Sequence, residues 1–93
     1  MSARIHIDAD HPSLPGHFPG NPVVPGVVLL DCVAQALERD DGATIARIRA
    51  VKFLAPLLPS QDAALSIERD GARVRFRIEC DGRPILSGEA ELA

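Results

Sequence analysis

Residues 17–35 read HFPGNPVVPGVVLLDCVAQ, and the stretch divides in the middle. Its first half is a loop: Pro19, Pro22 and Pro25 push the residues before them into extended geometry, which rules helix out for His17-Phe18-Pro19-Gly20-Asn21-Pro22. Its second half is a helix that opens at Pro25-Gly26, because the first helical turn has no partner for an amide hydrogen and so tolerates proline. From there apolar residues fall on almost every side (Val27, Val28, Leu29, Leu30, Val33, Ala34, Ala36, Leu37), which predicts a helix that is buried rather than laid on a surface. Asp31 interrupts the run. A buried or half-buried carboxylate is costly unless something pairs with it or its pKa rises. The stretch therefore sets a histidine on a rigid loop, a bare helix N-terminus, and an acid just over one turn further in.

Downstream, the helix is expected to run from 25 to 39 or 40 and to stop before Gly42, with fraying at Asp40 and Asp41, which face the negative end of its dipole. Residues 46–54 read as a strand closed by Pro56 and Pro59, with unclear faces, since Arg47 and Arg49 alternate in phase with Val51 and Phe53. After Asp62 the pattern sharpens. Ala63, Leu65 and Ile67 share a face, then Val74, Phe76, Ile78 and Cys80, then Leu86, Gly88, Ala90 and Leu92; Asp70-Gly71 and Asp81-Gly82 mark the turns. Upstream, residues 4–8 form a strand with Ile5 and Ile7 inward and His6 toward solvent, and 10–16 form a loop in which His11 reads as a turn residue.

The register of this three-stranded meander is testable from the sequence. A two-residue turn at Asp70-Gly71 sets Ile67 opposite Val74, Leu65 opposite Phe76 and Glu68 opposite Arg73. A two-residue second turn would oppose Leu86 and Arg77. A three-residue loop, Asp81-Gly82-Arg83 with a glycine bulge, instead opposes Ile78 with Leu86, Phe76 with Gly88, Arg75 with Glu89 and Arg73 with Glu91. Arg73, Arg75 and Arg77 then form a solvated face of cross-strand ion pairs.

Ninety-three residues make one domain, spanning 1–93. There is no run of eighteen apolar residues and no signal-peptide pattern, so the chain is expected to be soluble, cytoplasmic and without a membrane partner. Cys32 and Cys80 make neither a disulfide framework nor a zinc set and read as buried free thiols. A net charge of −3 and the lack of Trp and Tyr argue against nucleic acid. Helix and sheet must bury each other's apolar faces in so short a chain, which predicts an α+β fold: one central apolar helix wrapped by a roughly five-stranded antiparallel sheet.

The HFPG loop, the Pro25-Gly26 helix start and the acid inside the helix resemble the signature of the hot-dog-fold 3-hydroxyacyl-[acyl-carrier-protein] dehydratases, the FabA/FabZ family. Gly26 and Asp31 fall nine and fourteen residues after His17, as in that family. The DHPSLPGHFPGNP lead-in and the small size are most similar to the compact aryl-polyene-type dehydratases. The resemblance implies a hot-dog fold and a hydro-lyase of fatty-acid or polyene-type synthesis, making trans-2-enoyl thioester from (3R)-3-hydroxyacyl thioester. Many members carry an additional N-terminal segment ahead of the first strand. This chain begins almost at that strand, which suggests a more open pocket or one covered by something else.

Dehydration needs a base beside the carbonyl, a stabiliser for the enolate-like oxygen, and an acid for the leaving hydroxyl. The resemblance implies His17 as base, with the carbonyl of Val23 orienting its other nitrogen, and Asp31, protonated or holding a water, as acid. The Gly26 amide lies where a helix N-terminus favours negative charge, and glycine lets the thioester approach. Gly26, Val23, Phe18 and Gln35 are the expected substrate-binding residues; no metal or organic cofactor is required. Taken alone, Asp31, Gln35 and Glu38 read first as the polar stripe of an amphipathic helix. Arg47, Arg49 and Lys52 suit an acidic acyl carrier protein as partner, or simply a solvated strand. An open sheet edge predicts a homodimer or higher oligomer, and the resemblance implies a site shared between subunits. A hot-dog thioesterase and a low-activity subunit of a heterodimeric dehydratase are the alternatives. Asp at 31 resembles the dehydratase-isomerase branch and HFPGNPVVPG the plain one, so isomerisation stays open.

Overall fold

The computed structural model describes residues 2–7, 24–58 and 60–93. Its elements run β1 (Ser2–His6), α1 (Gly26–Asp41), β2 (Ile45–Phe53), β3 (Asp62–Asp70), β4 (Arg73–Cys80) and β5 (Arg83–Leu92). The strands form one antiparallel sheet in the order β1-β3-β4-β5-β2, so the helix connects its two edges. Leu29, Val33, Ala36 and Leu37 share one core with Ile5, Leu65, Phe76, Ile78, Leu86 and Ala90 of the sheet. This is the hot-dog arrangement expected from the sequence. No helix among the described residues is long and apolar enough to cross a membrane.

The helix departs from its expected limits by a residue at each end. Pro25 is the N-cap, with φ −60° and ψ 143°, and α1 continues through Asp41 to a left-handed Gly42 at φ 61°. Where fraying is expected, the helix continues through Asp41, whose Oδ2 accepts from the Arg69 guanidinium of β3 at 3.3 Å, while Asp40 accepts from Arg39. Nor is α1 buried all round. Leu29, Val33, Ala36 and Leu37 are spaced i, i+4, i+7, i+8 and pack on the sheet, while Val27, nearly opposite, stays 72% exposed.

Inward residues of β3 and β4 are those expected: Ala63, Leu65, Ile67, Val74, Phe76, Ile78 and Cys80 are buried. The first turn, however, is Gly71-Ala72, so Asp70 faces Arg73, Ile67 faces Phe76 and Leu65 faces Ile78, two residues from the expected register. Gly71 takes φ 62°, with no positive φ at Ala72, the pattern in which glycine fills the first central position. Moving a register by two leaves every side chain on its face, which is why periodicity did not expose the difference.

At the second hairpin the expected pairs hold: Ile78 faces Leu86, Phe76 faces Gly88, Arg75 faces Glu89 and Arg73 faces Glu91. The three-residue loop does not. Cys80 pairs with Arg83 across a two-residue Asp81-Gly82 turn, both with positive φ, and the extra residue is Ile85, bulged within β5. In that place Ile85 buries its side chain, and its carbonyl accepts from Leu54 N at 2.8 Å and Ala55 N at 3.3 Å.

Two further bulges explain the unclear faces of β2. Ala46 and Arg49 are its unpaired residues, so the side facing the core is read by Ile45, Ile48, Val51 and Phe53, and Arg47 does not share it. Glu91 on β5 accepts from both Arg47, at 3.1 Å, and Arg49. The hydrogen bond from Arg49 above all, with the charge of Arg47, holds the Glu91 carboxyl below its ordinary range. Of the expected basic cluster only Lys52 has no acidic partner among the described residues. Gly88 sits where β2 bulges toward β5, and a Cβ there would lie 2.6 Å from both the Ala50 carbonyl oxygen and Phe76 Cζ. Gly88→Ala is expected to cost about 1–3 kcal/mol, since backbone must move. Urea unfolding should show a lower midpoint at unchanged slope.

Candidate active site

His17, Phe18 and Val23 lie outside the described residues; the described part of the expected site is the first half of α1. The fold leaves that helix start open. Pro25 supplies no side-chain cap, and Val28 N and Leu29 N turn back to the Pro25 carbonyl at 3.0 and 3.4 Å. The amides of Gly26 and Val27 find no acceptor among the described residues. No acidic side chain lies in the first turn to satisfy them. Two free N–H groups at the positive end of a sixteen-residue helix attract an anionic oxygen. The segment leading in is anchored by Val24 N, which donates to the Leu57 carbonyl at 2.8 Å, and by the burial of both side chains.

Gly26 is glycine for want of room, with no positive φ to require it. A Cβ there would overlap the Phe53 ring, lying 2.7 Å from Cζ. Phe53 ends β2 on its core side, yet is 59% exposed, so its ring borders the helix start while most of it faces outward. The sequence reading missed this neighbour, and no local signal reveals it, because twenty-seven residues separate the two.

Asp31 is exposed, correcting the expectation of a buried or half-buried carboxylate. The physical reason is the choice of face. With Leu29, Val33, Ala36 and Leu37 turned to the sheet, the opposite stripe is Val27, Asp31, Gln35 and Glu38, and solvent carries the charge. Gln35 Nε2 donates to Asp31 Oδ2 at 2.6 Å, which places the expected binding residue on the expected acid. Beside them Cys32 is half-buried. Burial, and then the charge of Asp31, push its thiol above the ordinary value, the opposite of what a nucleophilic cysteine needs. His6 is exposed and bonds Asp62 at 2.7 Å at the far edge of the sheet.

Another concavity among the described residues lies elsewhere. It is an open groove of about 860 Å³ lined by Ser66, Glu68, Arg75, Arg77, Glu79 and Glu89 among others. These alternate with buried residues and so face away from the helix, and Arg75–Glu89 and Arg77–Glu79 close its charges on each other. At the helix start, by contrast, two amides without an acceptor among the described residues, exposed Val27 and the Asp31 carboxylate lie on the first half of α1.

Comparison with known proteins bears on the family. The ApeI-like family, described as ApeI dehydratase, matches residues 1–89. The 3-hydroxyacyl-[acyl-carrier-protein] dehydratase FabZ of Proteus mirabilis is 31% identical over 108 residues, covering 99% of this chain and 71% of that one. FabZ of Thermomicrobium roseum is 33% identical over 94 residues, and there the chain spans only 62% of its relative's length. Among solved structures, the dehydratase heterocomplex ApeI:P from Xenorhabdus doucetiae superposes with a TM-score of 0.88 at 28% identity, over 99% of this chain and 85% of that one.

Proposed function

The chain belongs to the ApeI-like dehydratase family, and from that premise we propose that it eliminates water from (3R)-3-hydroxyacyl thioesters on acyl carrier protein. The observation that carries the proposal is the start of α1: the Gly26 and Val27 amides have no acceptor among the described residues, and the Asp31 carboxylate lies about 8 Å further along the axis. In this reading His17 removes a proton from C2, and the electron pair moves onto the thioester oxygen. The Gly26 and Val27 amides stabilise that oxygen. Collapse of the enolate breaks the C3–O bond, and Asp31, directly or through a water, protonates the departing hydroxyl. The products are trans-2-enoyl thioester and water, and the balance requires no oxidant, reductant or organic cofactor.

The same reading makes a second chain part of the enzyme. On the core side of β2, Ile48 and Phe53 are left exposed, as are Val27, Leu54 and Leu58 around the helix start. A nine-residue edge strand with uncovered apolar side chains is a surface for pairing. A second copy or a related dehydratase chain fits it; the solved relative from Xenorhabdus doucetiae is itself a heterocomplex.

The test is turnover of 3-hydroxyacyl carrier protein by the purified chain in the presence of a chelator, with products identified by mass. Trans-2-enoyl thioester is the expected product. Release of free thiol without enoyl product would make the chain a thioesterase. Turnover only after a related chain is added would make it one subunit of a heteromeric dehydratase.

A further inference from the structure

Phe53 reaches the start of α1 from a strand end that the backbone holds in place. It pairs with Leu86 at the end of β2, and the next two amides, Leu54 N and Ala55 N, both donate to the Ile85 carbonyl, at 2.8 and 3.3 Å. Ile85 is the residue bulged out of β5, and bulges re-aim the side chains around them. Here the aim is onto Gly26, where a Cβ would lie 2.7 Å from Phe53 Cζ. The Gly26 and Val27 amides have no acceptor among the described residues. The ring therefore stands beside two donors, with most of its surface exposed. Leaving an aromatic ring in water is unfavourable, yet cross-strand bonds fix this one there rather than in the core.

Resting on the elimination proposed above, we propose that Phe53 and Gly26 act as one unit. The glycine leaves room for the ring, and the ring is the apolar wall of the pocket in which the two amides meet the thioester oxygen. Its edge touches the acyl group and keeps water from that side of the amides. Charge that develops on the oxygen then meets N–H donors in less polar surroundings, where their attraction is stronger. This changes the reason expected from the sequence for glycine at 26, which was the approach of the thioester to the backbone. An exposed aromatic residue beside uncovered apolar surface also suits a subunit contact. The test therefore has to separate shielding from assembly.

Phe53→Ala removes the wall, and Phe53→Leu keeps an apolar side chain without the ring. Phe53→Ala is expected to lower kcat about 10–100-fold, less than the roughly 10²–10³-fold lost with a whole oxyanion donor, with KM within about threefold. Phe53→Leu should lose less, and sedimentation should show both variants in the wild-type assembly. The decisive arm is a cycle with Gly26→Ala, whose methyl group displaces the ring. If the two residues act as one unit, Gly26→Ala lowers both turnover and melting temperature in the wild type. Once Phe53 is alanine, the same change adds no kinetic loss and no destabilisation. Losses that multiply would overturn the proposal, since the glycine would then serve the thioester on its own. So would wild-type kcat in Phe53→Ala, a raised KM at constant kcat, or a loss that comes only with dissociation into monomers. Absence of turnover in the wild-type chain would overturn the elimination and the shielding with it, an outcome distinct from a failure at Phe53 alone.

Discussion

Replacing His17 by alanine is expected to lower turnover by about 10²–10⁴-fold, the range that a positioned general base contributes. Histidine suits the step because its ordinary pKa, about 6.5, leaves much of it neutral at working pH and able to accept the C2 proton. Pro19, Pro22 and Pro25 narrow the backbone choices of the residues around it in sequence, so little conformational entropy opposes ordering the ring. Because the prolines around His17 predict a position outside the core, circular dichroism and melting should stay at wild-type values while turnover collapses. A variant that dehydrates at the wild-type rate would place the base elsewhere. His6 is no substitute, since it lies at the end of β1, bonded to Asp62.

Mixing two dead variants should restore activity. His17→Ala and Asp31→Asn chains, each inactive, are expected to regain roughly a quarter of the wild-type rate after subunit exchange, because half of randomly paired dimers are mixed and each holds one intact site of two. The expectation follows from where the acid points. Asp31 lies on the stripe of α1 turned away from its own core, about 8 Å along the axis from Gly26, and the apolar surface around the helix start is uncovered. A histidine loop of the same chain would have to fold back over that surface, whereas a neighbouring chain would bring its own loop to it. If sites lie within single chains, every mixed dimer stays inactive. Exchange must be shown by mass before that result counts.

Much of the fold, and the placement of the candidate residues along α1, was legible because it is written in local periodicity. The proline-glycine start and Gly42 bracket a helix, and three runs of strict alternation bracket three strands. The positions of Gly26, Asp31 and Gln35 relative to the helix start follow from counting. What periodicity does not carry is the identity of a partner across space. Phe53 beside Gly26 is one case, and the Arg69 guanidinium on Asp41 is another.

The sequence alone determined the helix and the strands other than β2, the inward face of each of those strands, and the apolar surface that forces helix and sheet together. Those properties depend on residues within one or two turns of each other, and side-chain geometry ties them to the backbone. Only the tertiary structure decided which stripe of a nearly all-apolar helix meets the sheet, and so that Asp31 is exposed with Gln35 on it. Only the tertiary structure decided where the spare residues went: Ile85, Ala46 and Arg49 bulge because cross-strand partners, buried area and the Leu54 amide that donates to the Ile85 carbonyl select among registers that local alternation leaves equal.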